Sequence, residues 1–265
     1  NVKKCYIIFF STALVLGFVS CKSTKQDKVP SVPTAEQPVT DVPVAADNSA
    51  ALDAAETARR AAVKAGADKA APEQFNDTDA RYNELMKRSK AGENVTVELA
   101  DVTARYRALE EYTKAAALKN RIDELGFQSY DKMNYNKGAN ALSAAEKLSA
   151  DKSSTGAQLY EQAHTAYASL GTALQNAFRT RAREERTAAF TAKRNADSVY
   201  AAVAEKKAYD GGVADFRSGD TSYAQQDAEN ALKHYGDARK TFEKLYADIS
   251  EKRAAAQEAI EKAKA

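Results

Sequence analysis

The chain has 265 residues, with 39 Lys and Arg against 37 Asp and Glu, two Cys, two His and no Trp. Hydrophobic residues make up 44% and charged ones 29%, the balance of a folded chain rather than an acidic or basic tail, and the length allows one elongated domain or two small ones. Two early lysines account for the whole positive excess; residues 21–265 are formally neutral and lack the cationic surplus of a nucleic-acid binder. Alanine occurs 55 times against 11 Gly and 5 Pro, a composition that favours helix nearly throughout.

Lys3 and Lys4 precede an uncharged run of 17 residues from Cys5 to Cys21, the pattern of an export signal at the short edge of what spans a bilayer. Its end, Phe18-Val19-Ser20-Cys21, resembles the lipobox of bacterial lipoproteins, with Phe18 in place of the usual Leu. That resemblance implies a signal peptide over 1–20, cleavage before Cys21 and a lipid bilayer anchor through acylated Cys21. A retained transmembrane anchor and a free exported protein are the alternatives. All three place residues 22–265 outside the cytoplasm, because the two lysines hold the N-terminal side in. With the leader removed Cys21 is the only cysteine, so no intrachain disulfide and no Cys-based zinc site is expected.

Residues 21–49 hold Pro30, Pro33, Pro38 and Pro43 and are expected to form an extended linker, reaching about 90 Å at roughly 3.1 Å per residue. From residue 50 to 265 apolar residues recur at helical intervals, which predicts an all-α domain. Helices are expected over 49–69, 72–91, 96–125, 127–150, 155–193, 195–218 and 222–262. Breaks are expected at Gly92-Glu93-Asn94, Gly126, Asp151–Thr155 and Gly219-Asp220-Thr221. Pro72 suits a first helical position.

One stripe recurs at i, i+3, i+7, i+10: Leu99, Val102, Tyr106, Leu109; then Tyr160, Ala163, Tyr167, Leu170; then Ala228, Ala231, Tyr235, Ala238. It predicts three related antiparallel helical hairpins, with the tyrosines in the core or, alternatively, forming a stacking ladder. Gly212, Phe216, Gly219-Asp220, Ala224 and Ala231 resemble the tetratricopeptide repeat, with Gly212 at a close approach and Gly219 closing the turn. Ala208, Asp215 and Gly236 depart from that pattern. The resemblance implies a partner-binding groove along the first helix of the hairpin, on Lys206, Tyr209, Val213, Phe216 and Arg217. Core packing of Tyr209 and Phe216 is the alternative.

Lipobox, proline linker and degenerate repeats together resemble the exported envelope lipoproteins of spirochaetes, of the treponemal membrane protein A kind. Ala70-Ala71-Pro72-Glu73-Gln74-Phe75 is also similar to the Ala-Pro-x-x-Tyr/Phe helix starts of other bacterial envelope lipoproteins. No phosphate loop, nucleophile elbow, metalloprotease helix or calcium loop occurs, so neither an enzyme nor a cofactor or metal is expected. Arg179, Arg181, Arg183 and Arg186 form a basic cluster interrupted by Glu184 and Glu185, which predicts an ion-paired surface with Arg181 and Glu185 one turn apart. The expected function is a membrane-anchored, non-catalytic scaffold for an envelope protein or peptide, with a structural spacer as the alternative and no nucleic-acid partner.

Overall fold

Among the described residues, 47–264, the chain is all-α: α1 (Ser49–Ala65), α2 (Ala67–Ala70), α3 (Pro72–Lys90), α4 (Thr96–Glu124), α5 (Lys132–Ala150), α6 (Gly156–Ser198), α7 (Ala201–Ala204), α8 (Lys206–Ala224) and α9 (Ala228–Lys264). This computed structural model places them all in one unit, Val44–Ala265. The leader, Cys21 and the linker up to residue 46 lie outside the described residues. The helical unit begins slightly before the expected residue 50. Asn48 is buried, donates to the Glu93 carbonyl and to Ser89, and accepts from the Val95 N–H, pinning the start of α1 to the start of α4.

Four helices, α1, α4, α6 and α9, run parallel and side by side; α4 begins level with α1, and α6 and α9 are each stepped along the helix before. The stepping shows in paired contacts that advance together. Asp101 on α4 meets Gly156 on α6, Lys114 meets Tyr167 and Leu118 meets Gly171. On α6 and α9, Glu185 meets Arg239 and Tyr200, just past α6, meets Arg253. The contact surfaces are rich in alanine. Ala55, Ala115 and Ala189 are each fully buried, and so are Ala62 and Ala196, with Ile122 at 1% exposure. Small side chains let parallel backbones approach, and each buried methyl adds dispersion and burial without rotamer entropy.

The shorter helices reverse direction and cover this row. α3 packs on α4, α5 on α6 and α8 on α9. Each has 19 residues, and each is entered by the same connection. Gly66, Gly126 and Tyr200 take a left-handed conformation with φ of 84, 67 and 59°. Four residues of one tight turn follow, opened by buried Ala67, Phe127 and Ala201. Then Ala71, Asp131 and Glu205 adopt nearly identical dihedrals, φ −139, −142 and −137° with ψ 61, 70 and 55°, and the antiparallel helix begins. The left-handed residue is what stops the parallel helix and turns the chain. A cation on each incoming helix lies over an aromatic ring on the outgoing one: Arg59 over Phe75, Lys119 over Tyr135 and Lys193 over Tyr209, at 5.8, 5.8 and 5.3 Å.

Several expected boundaries are corrected. No break occurs near 194; α6 is continuous for 43 residues, about 65 Å at 1.5 Å per residue, because Ala189, Ala192 and Ala196 stay buried in the contact with its neighbours. The turn expected at Gly219-Asp220-Thr221 lies six residues later, at Gln225–Asp227, with Gln226 left-handed at φ 64°. Gly219 sits inside α8, where a Cβ would come within 2.6 Å of the Tyr235 ring; its missing side chain makes room for the tyrosine, not for a turn. The tyrosine stripe also shifts in its middle member. Tyr106 and Tyr235 are buried, whereas Tyr160 and Tyr167 are half-exposed and the buried stripe is Leu159, Ala163, Ala166, Leu170.

Glycine substitutions test this packing. A Cβ on Gly212 would stand 3.0 Å from the Phe242 ring, and one on Gly156 would fall inside contact distance of the Asp101 carbonyl oxygen, whereas Gly211 faces open space. Gly211→Ala should therefore gain about 0.5–1 kcal/mol from helix propensity. Gly156→Ala and Gly212→Leu should each lose about 1–3 kcal/mol in denaturant melts, by overpacking.

Candidate binding groove

The second layer is discontinuous between α3 and α5, and the gap is a groove of about 800 Å³. Its floor is apolar, made by Ala108, Leu109 and the half-buried Tyr112 ring from α4, with Leu159 and Ala163 from α6. One wall is the start of α3, opened by Pro72 and Glu73, with Asp77 and Arg81 one and two turns on. The other is the end of α5, with Glu146 and Ser149, followed by Asp151 and Lys152. The size and the apolar floor with a polar rim are those of a ligand site.

The charges of the rim are not equally available. Arg81 pairs with Asp77 at 2.9 Å, and Arg105 is nearly buried against Asp101 and the Ser154 carbonyl. Glu73, Glu146 and Asp151 have no cationic partner among the described residues, and Lys152 has no anionic one. Two of the carboxylates are held in place by neutral donors. Tyr112 donates to Glu146 Oε1 at 2.7 Å, and Ser153 donates through its N–H and its hydroxyl to Asp151 Oδ1 at 2.9 and 2.7 Å. Burial and the Glu146 contact push the Tyr112 phenol up to about 12, so it remains a donor at neutral pH.

The five residues expected to form a groove on α8 divide into two groups. Tyr209, Val213 and Phe216 pack against the core between α6 and α9, where Tyr209 stacks edge-on to Phe242 and Phe216 edge-on to Tyr235. The Tyr209 hydroxyl donates to Asp197 at 2.5 Å. Lys206 and Arg217 are exposed, Lys206 pairing with Asp210 at 2.6 Å. Several residues of the α3–α5 groove, Leu109, Ala163 and the Ala70–Gln74 segment, are named in the sequence patterns, but nothing there joins them into one site, because they come from helices far apart in the chain. Only Pro72 and the break at Asp151 mark its edges.

The arginine cluster forms an ion-paired face with a changed pairing. Arg181 bonds Glu184 at 2.7 Å, Arg186 bonds Asp220 at 2.7 Å, and Glu185 is taken by Arg239 from α9. Arg186 belongs to a polar node that occurs twice. Arg59 and Tyr106 both donate to Asp79, with Arg59 over Phe75; Arg186 and Tyr235 both donate to Asp220, with Arg186 over Phe216. Each node ties three helices together at one carboxylate.

No family model matches the chain, and neither do curated proteins or solved structures.

The two nodes predict an acid limit. Burial pushes the Asp79 and Asp220 carboxyls up, but the hydrogen bonds from arginine and tyrosine outweigh it and hold both below the usual carboxylate range. A depressed carboxyl contributes stability that is complete above its unfolded value, about 3.9, and disappears as pH falls through the lower folded value. In urea melts followed by circular dichroism, the Asp79→Asn, Asp220→Asn double variant should be less stable at pH 7. It should also lose less stability than wild type between pH 5 and pH 2.

Proposed function

We propose that this chain is an exported, lipid-anchored and non-catalytic scaffold of the bacterial envelope, built from degenerate helical repeats, that binds a protein or peptide segment in the groove between α3 and α5. The groove carries the reading: an apolar floor with carboxylates fixed in orientation is suited to hold a ligand by burial and polar contact. The basic start, the uncharged run and Val19-Ser20-Cys21 support the anchor. The shared entry connection of the three antiparallel helices supports the repeat reading, in which a long helix closes one unit and opens the next.

A second reading, a structural spacer, is favoured by one observation. Buried positions in α9, Ala231, Tyr235, Ala238, Phe242, Leu245 and Ile249, alternate steps of four and three, the seam spacing of rod-like helix assemblies.

Two measurements test the proposal. Cells fed a clickable palmitate should label the wild-type chain and not Cys21→Ala, and equal label in both would remove the anchor at Cys21. A photo-crosslinking residue at Ala150, on the groove wall, should capture a discrete partner that the same residue at exposed Lys244 on α9 does not. Equal capture at both positions, or none, would favour the spacer.

A further inference from the structure

The rim of the α3–α5 groove has an electrostatic bias that its composition conceals. Seven charged residues line it, four acidic and three basic, which reads as nearly neutral. The internal pairs change that. Arg81 is matched by Asp77, and Arg105 is spent on Asp101, which does not line the groove. What remains for a ligand is three carboxylates, Glu73, Glu146 and Asp151, against the single amine of Lys152.

Two of those carboxylates also present an oriented free oxygen. Tyr112 and Ser153 occupy Glu146 Oε1 and Asp151 Oδ1, and the second oxygen of each carboxylate accepts nothing from the described residues. They stand on the wall above the Leu109, Tyr112 and Leu159 floor, so one ligand can bury an apolar group while donating to both. An ammonium or guanidinium donates several hydrogen bonds and accepts none, matching acceptors that have no donor of their own.

Resting on the reading of this groove as a peptide site, we infer that its ligand is a cationic peptide segment, with lysine or arginine on either side of an apolar anchor. The apolar residue occupies the floor and the cations meet Glu146 and Asp151 on one side and Glu73 on the other. Acidic segments are excluded by the same three carboxylates, which makes the rim a source of selectivity more than of bulk affinity.

The test uses the full chain in detergent and two fluorescein-labelled peptides, KLAKLA and ELAELA, followed by fluorescence anisotropy at low salt. KLAKLA should bind at least about tenfold more tightly, and raising the salt should narrow the gap. The triple variant Glu73→Gln, Glu146→Gln, Asp151→Asn, which keeps an acceptor for Tyr112 and Ser153, should weaken KLAKLA about tenfold and leave the circular dichroism spectrum unchanged. A control with Glu124→Gln, Asp215→Asn and Glu251→Gln removes as many carboxylates outside the groove and should bind as wild type. Equal binding of both peptides, or equal weakening by the control, overturns the cationic preference while leaving a peptide site in place. Binding of neither peptide overturns the inference and the peptide reading together.

Discussion

The close parallel contact between successive long helices is the constraint on which the rest of this structure depends. Neighbouring parallel helices cannot be joined by a short loop, so the chain must return along an antiparallel helix before each new parallel one begins. That requirement generates α3, α5 and α8, their common length and their common entry turn. The contact itself is made possible by alanine at Ala55, Ala115 and Ala189 and by Gly156 at the α4–α6 crossing, where there is no room for a side chain. Larger residues at these positions would separate the row and remove the support under the second layer.

The groove follows from the same geometry. A return helix sits over the junction of two parallel neighbours, so adjacent return helices are held apart by the stepping of the row beneath them. Between α3 and α5 the step leaves the α4 and α6 surfaces uncovered over a short stretch, and that stretch is the apolar floor. Between α5 and α8 the spacing is greater, because α6 has 43 residues where α4 has 29, two further heptads that slide the third return helix along. A smaller hollow of about 220 Å³ lies near the end of α8, beside Arg179, Arg183 and Tyr223.

Polar groups fix what the alanine contacts leave free. Alanine surfaces are smooth and define register weakly, whereas a carboxylate receiving both an arginine and a tyrosine has one geometry. Asp79 and Asp220 supply that definition for the first and third helix groupings, and Asp123, bonded by Lys119 and Tyr135, does so for the second. Asp101 has a related part at the α4–α6 crossing, accepting the Gly156 N–H at 2.5 Å and Arg105 at 2.7 Å. Most of these groups are partly exposed, so their contribution lies more in register than in net stability.

Composition and periodicity were sufficient for the helical class, for the starts at Pro72 and Thr96 and for the stop at Gly126, because propensity, a proline at the first helical position and left-handed glycine at Gly92 and Gly126 act within a few residues of sequence. The close-packing role of Gly212 was legible for a similar reason, from a short steric pattern. Gly219 was not: a glycine beside an aspartate has the chemistry of a turn, and only Tyr235 arriving from α9 makes it a packing position inside a helix. The unbroken course of α6 was equally hidden. Its continuity past residue 194 rests on Ala189, Ala192 and Ala196, whose burial against neighbouring helices only the tertiary structure supplies. The groove and its acidic bias lie wholly on the tertiary side, since which carboxylates keep a cation is decided by neighbours from other helices, and linear order carries no record of that pairing.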